Sequence, residues 1–379
     1  MLMKSFVAMS VVTVLWVVAG YSIAFASGTP FLGGFSWVGL KGVGLETQGT
    51  YALTFPHQLH MVYQLMFAII TPALISGAIA ERMKFSTYVV FIGIWSLVVY
   101  APLAHMVWGL EGTKGFLAEK GSLDFAGGTV VHISSGMSAL VMAILLGKRK
   151  DTSSAQPHNL PMTLIGTGLL WFGWFGFNAG SASGSNGLAT SAFVVTHIAA
   201  ATAALSWALV EWIAYKKPTA LGFASGAVAG LVAITPASGF VGPIAALIIG
   251  ALVSPICFAA IKMKSKLGYD DTLDVFGVHG VGGTFGALIT GLFCSKLINS
   301  AGADASLDQL GKQALGVGVA IVYSVVATFI IGSILKVTMG LRVSEEDEIV
   351  GLDLSEHGES AYGEPGSGEE GHSVFGTEH

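Results

Sequence analysis

The 379-residue chain is 53% apolar and only 11% charged, with a mean hydropathy of +0.71. A soluble protein of this length needs about a quarter of its residues charged to cover its surface, so a soluble multidomain protein is excluded. The formal net charge of −5 is unevenly spread: beyond Arg342 there is no Lys or Arg, while Glu345, Glu346, Asp347, Glu348, Asp353, Glu356 and Glu359 are acidic.

Uncharged stretches such as 5–40 and 85–110 exceed the ~20 residues that cross a bilayer as a helix. The sequence therefore predicts an all-α polytopic membrane protein. Hydropathy and turn residues divide it into about ten helices, over 5–26, 57–80, 86–107, 124–147, 159–180, 188–215, 220–237, 241–262, 272–295 and 313–340. Lys4, the apolar run after it and Ala24-Phe25-Ala26 resemble a signal peptide. A signal h-region is only ~7–15 residues long, so this run reads as an uncleaved span. The many glycines suit close helix packing. Cys257 and Cys294 lie in apolar segments and read as buried free thiols.

Basic residues set the orientation. Lys4, Arg82, Lys84, Lys148, Arg149, Lys150, Lys216, Lys217, Lys262, Lys264, Lys266, Lys336 and Arg342 fall on one side of this arrangement. Lys41, Lys114, Lys120, Lys296 and Lys312 fall on the other. The first side is then cytoplasmic and holds both termini.

His132 and His279 stand out. Each follows an aspartate by eight positions (Asp124, Asp271) and precedes a glycine by four (Gly136, Gly283). Asp124 opens a predicted helix on the outer side and Asp271 one on the inner side. Eight helical residues rise about 12 Å, which carries both histidines towards the midplane from opposite faces. This pattern predicts an inverted repeat with its functional site at the midplane. Either histidine alone reads as a packing residue. A pair in an apolar interior is costly unless it bonds something. Two neutral imidazoles can bond each other and still offer groups to a small polar solute.

Asp124, Asp271 and Asp274 sit at predicted helix starts, and Glu211 lies near an inner end. No carboxylate falls at mid-membrane, which speaks against a proton-relay antiporter or ion pump. No nucleophile–base constellation, metal-ligand cluster or cofactor motif is present, so no enzyme, metal or cofactor is expected.

The run from Asp124 through His132 to Gly136 resembles the signature of the Amt/Rh ammonium transporter family. The run from Asp274 through His279 to Gly283 is similar to its second-histidine motif. Further matches lie between Phe67 and Arg82, at Ala104–Trp108, Pro157–Pro161, Gly173–Ser181, Gly340–Val343 and Gly351–Tyr362. In family order they cover about 3–363.

The resemblance implies the Amt branch, ammonium transport and an inverted five-helix repeat around a narrow central pore. It implies an outer recruitment site of Trp108 and Ser181, with Tyr63 where many relatives carry phenylalanine. It also implies a stacked phenyl gate of Phe67 and Phe177, and a twin-histidine pore of His132 and His279. Asp124, Trp174 and Asp271 are expected in support. Without the resemblance, Trp108 reads as an interfacial anchor and the phenylalanines as core.

The transmembrane domain is expected over 1–342, with half-repeats of about 1–150 and 157–300 and an acidic tail over 343–379. Residues 363–379 read as disordered. The resemblance further implies lipid contact, a homotrimer in the cell membrane, a tail packed on a neighbouring subunit and a PII-type regulatory partner. No nucleic acid is expected. Family members usually have eleven helices, and 5–26 matches the second of these, so the chain as given lacks the first. An ammonium sensor and an inactive truncated subunit are the competing readings.

Overall fold

The computed structural model describes residues 1–150 and 157–362. Among the described residues the chain is helical, with no strand and only isolated bridges. Nine helices among the described residues are long and apolar enough to cross a membrane, and a shorter one joins them. In chain order they are α1 (Leu2–Phe25), α2 (His57–Ile75), α3 (Phe85–Trp108), α4 (Gly128–Leu146) and α5 (Leu160–Gly180). Next come α6 (Gly187–Tyr215), the short α7 (Ala220–Ile234), α8 (Pro243–Leu267), α9 (Phe276–Phe293) and α10 (Leu307–Thr338).

The expected elements occur in the expected order, with several shifted boundaries. α2 ends at Ile75 rather than 80, α8 runs on to Leu267 past 262, and α10 starts at Leu307 ahead of 313. α7 ends at Ile234, short of 237. Pro236 has no N–H to continue the ladder, and the backbone runs on in turns to Phe240. The 15 residues of α7 rise about 22 Å, less than the ~30 Å hydrocarbon thickness. α4 and α9 start at Gly128 and Phe276 rather than at 124 and 272. The aspartates expected to open them lie ahead of the helix and bond its first amides.

Two apolar cores flank a central seam. One joins α1–α4 with α10, around fully buried Phe91, Trp95 and Tyr100. The other joins α5–α8, around Ala199, Ala203, Val232 and Ile249. They meet where α4 crosses α9.

Glycine makes that crossing possible. A Cβ on Gly136 would lie 2.2 Å from the Gly280 amide nitrogen, and one on Gly283 would lie 2.8 Å from the Cβ of His132. The glycine one turn after each histidine is thus where the partner helix passes. Both helices also open with a π-helical turn, Gly128–Ile133 and Phe276–Gly280, and these turns carry His132 and His279. Such wide turns recur at functional sites because the extra residue re-aims a side chain.

At the basic end, Arg82 is fully buried. Its guanidinium donates to the carbonyls of Ala78, Gly147 and Asp270 and to Thr272 Oγ1. Arg149 grips the Asp270 carboxylate with two nitrogens at 2.9 and 3.0 Å. The tail packs on its own chain here. Arg342 holds Glu348, the Phe85 amide donates to Glu356, and Asn159 Nδ2 donates to Tyr362 Oη. Within this single chain, the tail's partners are loops of the same subunit. The segment 363–379, expected to be disordered, lies outside the described residues.

The crossing yields a prediction. In Gly136→Ala the new methyl meets backbone, which cannot rotate away. The variant should lose about 2 kcal/mol or more, seen as a lower melting temperature in detergent. An unchanged melting temperature would contradict the close approach of α4 and α9.

Candidate functional site

The site begins at the end remote from Arg82. Trp108 closes α3, and its indole Nε1 donates to the Asp124 carbonyl at 2.9 Å. Ser181 follows the last residue of α5, and Tyr63 and Phe67 are one turn apart on α2. The Phe67 ring lies 5.7 Å from Trp108 and 5.2 Å from Tyr63, and Tyr63 Oη lies 2.9 Å from Ser181 Oγ. Trp108, Tyr63 and Ser181 are half-buried. They form a shallow bowl with aromatic walls and hydroxyl groups on one side. An aromatic face attracts a cation through its quadrupole, so the bowl suits a small cation with N–H donors.

Beneath the bowl Phe67 and Phe177 meet at 4.7 Å with an interplanar angle of 66°. The expected stack is an edge-to-face pair, the arrangement ring quadrupoles favour. Below it lies a chamber lined by Phe67, Phe177, Ile70, Ala126, Val131, His132, Trp174 and Thr235. It leaves about 10 Å³ for the centre of a water-sized molecule, which is roughly the least that holds one.

His132 and His279 bring their Nδ1 atoms to 3.1 Å, with ring centroids 5.3 Å apart. One Nδ1 must carry the shared proton and the other must accept it. For neutral rings this fixes opposite tautomers: one Nε2 is then an acceptor and the other an N–H donor. Trp174 stacks on His132 at 5.4 Å and 11°. Its Nε1 donates to Thr235 Oγ1 at 2.8 Å, so the indole acts as a fixed wall for the first histidine.

The two aspartates are not equivalent. Asp124 Oδ1 accepts the amides of Gly127 and Gly128, each at 2.7 Å, and Oδ2 accepts the Thr129 amide and hydroxyl. Gly127 adopts φ 110°, a left-handed conformation that favours glycine, and this turns the amides inward. The carboxylate thereby fixes the loop whose carbonyl holds Trp108. Asp271 is 1% exposed. Its Oδ2 accepts the Phe276 amide at 2.7 Å, while its Oδ1 has no partner. Burial, reinforced by Asp274 and opposed by the Phe276 amide and Lys264, pushes this carboxyl up to about 6.

Trp108, Tyr63, Ser181, Phe67, Phe177, Trp174, His132 and His279 lie in succession from bowl to histidine pair, and Asp124 stands behind Trp108. Asp271 stands apart, at the other end of the turn that carries His279. The sequence did not point to Ile70, Ala126, Val131 or Thr235, which look like ordinary core positions. Thr129 could have been read as a second cap for Asp124. Among the described residues no three His, Cys, Asp or Glu side chains converge as a metal-ligand set.

An all-helical membrane protein with paired histidines beneath an aromatic bowl, where α4 crosses α9, is built as a conduit for a small solute. The Ammonium Transporter Family profile matches residues 1–362, and the chain belongs to that family. The ammonium transporter of Bacillus subtilis (strain 168) is 51% identical over 365 residues, 95% of this chain and 89% of its own. The Archaeoglobus fulgidus ammonium transporter Amt1 is 42% identical over 96% of this chain and 90% of its own. The crystal structure of Saccharomyces cerevisiae Mep2 superposes with a TM-score of 0.83 at 35% identity, covering 90% of this chain and 80% of that one. A structure described as a sensor Amt protein gives 0.84 at 30% identity, over 94% and 89%. The chain is an ammonium transporter of the multi-pass membrane class and not an enzyme.

Two predictions follow from the aspartates. In Asp124→Asn an amide replaces one oxygen that accepts N–H donors, so about 2 kcal/mol is lost, read as reduced melting temperature and transport together. Retention of both would remove Asp124 from its supporting role. For Asp271, the folded carboxyl keeps its proton above the ordinary value of 3.8, up to about 6. The native state then binds more protons in that window, so stability is highest below it and falls as pH rises through it. Asp271→Asn should flatten the melting temperature between pH 4 and pH 6. A profile as steep as that of the parent would locate the titration elsewhere.

Proposed function

We propose that the chain recruits NH4+ in the bowl of Trp108, Ser181 and Tyr63, removes its proton near the Phe67–Phe177 gate and conducts NH3 past the histidine pair. The observation that carries this is the chamber between gate and His132, with room for one small molecule among apolar walls. A charged ion pays a heavy desolvation penalty there, whereas a neutral amine does not. K+ has no proton to give up, so it stays in the bowl.

The histidines complete the path. The donor Nε2 and acceptor Nε2 that the 3.1 Å Nδ1 contact imposes suit a solute that both gives and takes hydrogen bonds. They also suit a proton passed from ring to ring.

Orientation and assembly belong to the same proposal. The basic residues around Arg82 and Arg149 favour a cytoplasmic placement of that end, with the tail, in a cell or inner membrane. A homotrimer is supported by the outward face of α5 and α6. His197 is exposed there, with its ring against Trp171. A polar group facing lipid at mid-span is costly, and a second copy would cover it. The basic end is the place for a PII-type regulator. The half-repeats are taken as 1–150 and 157–300. The likeness to a sensor Amt protein supports a second reading, in which the same bowl reports ammonium through the tail.

Proteoliposomes decide between them. Ammonium should drive saturable uptake that potassium does not inhibit, His132→Ala should remove most of it, and Trp108→Ala should raise KM about tenfold. Folded protein that binds ammonium but shows no flux would sink the transport mechanism in favour of the sensor.

A further inference from the structure

The end of α5 is built in an unusual way. The Ser181 amide does not continue the α-helical ladder but bonds the Asn178 carbonyl at 3.2 Å. This frees the Phe177 carbonyl, one of the acceptors a helix C-terminus leaves unpaired. Two hydroxyls take it instead: Tyr63 Oη donates at 2.5 Å and Ser181 Oγ lies 2.8 Å away. The two hydroxyls also lie 2.9 Å from each other. One carbonyl of a gate residue thus gathers both hydroxyl groups of the bowl.

We propose that Tyr63 is a positioning residue that fixes the Ser181 hydroxyl as a hydrogen-bond acceptor and ties the bowl to the gate. This rests on the recruitment reading above and refines it. Each hydroxyl has one proton to donate. The Tyr63 proton goes to the Phe177 carbonyl or to Ser181 Oγ, and the Ser181 proton to that carbonyl or to Tyr63 Oη. In every arrangement no hydroxyl proton is left to point into the bowl, and at least one Ser181 lone pair remains. The bowl then accepts hydrogen bonds without offering any from this side, which selects a donor cation over a neutral acceptor.

The second half of the proposal is mechanical. Tyr63 and Phe67 lie one turn apart on α2, and Phe177 is the opposite ring of the gate. The Tyr63 bond to the Phe177 carbonyl therefore cross-links the two helices one turn above the rings they carry. Gly180 makes room for it: a Cβ there would lie 2.8 Å from the Tyr63 ring and 3.1 Å from its hydroxyl. A phenylalanine at 63 keeps the aromatic wall and loses both bonds.

The test is ammonium uptake against concentration for Tyr63→Phe, Ser181→Ala, the double variant, and Gly180→Ala, each first shown to melt like the parent. Tyr63→Phe should raise KM about tenfold with the maximal rate within about twofold. Because Tyr63 acts through Ser181, the double variant should be no worse than Ser181→Ala alone. Gly180→Ala keeps the hydroxyl but displaces the ring, and should raise KM as Tyr63→Phe does. An unchanged KM in Tyr63→Phe, or single effects that multiply in the double variant, would overturn the proposal while leaving the recruitment site intact. If Ser181→Ala and Trp108→Ala both leave KM unchanged, the recruitment reading itself falls, and this one with it.

Discussion

Everything at the centre of the molecule depends on two helices passing closer than side chains normally allow. Where α4 crosses α9, neither Gly136 nor Gly283 could carry a Cβ without striking its partner. The same crossing sets the histidine Nδ1 atoms 3.1 Å apart. Without that approach the rings would need a water or another side chain between them, and the tautomers would be unconstrained. The two cores, one of α1–α4 with α10 and the other of α5–α8, hold the crossing from both sides. Small residues substitute for a hydrophobic drive that lipid does not provide between helices.

Much of this was legible in the sequence. The shared spacing of Asp124 to His132 and Asp271 to His279 pointed to two histidines approaching from opposite faces, and the structure brings them into contact. The glycine four residues after each histidine was visible as a repeat, but its reason was not, because the atom it avoids belongs to the other half of the chain. The π-helical turns left no trace in periodicity: one extra residue in a short apolar turn looks the same as none. The end of α7 was legible in Pro236 and was overrun because the apolar pattern continues past it. The partnership of Tyr63 with Phe177 depends on which carbonyl the end of α5 leaves free, a matter of tertiary geometry.

The two aspartates, alike in spacing, differ in their surroundings. Both precede the turn that carries a histidine, and both accept at least one of its amides. Asp124 is saturated with donors, whereas Asp271 keeps one oxygen without any. The outer loop is therefore a rigid support for Trp108. The inner one is a place where protonation and stability are linked. The same bias appears around them. Arg82 and Arg149 knit the loops of the basic end together and Arg342 holds the tail there, while the bowl is held by hydrogen bonds from one indole and two hydroxyls.

The size of the chamber bears on how the conduit can be driven. With space for about one water-sized molecule between the gate and His132, there is no queue, and a new arrival cannot push its predecessor forward by charge repulsion. Potassium filters gain speed from such crowding among adjacent ions. On the mechanism proposed above, each passage would be independent of the last, throughput would follow how often the bowl is filled and emptied, and selectivity would fall to the entrance.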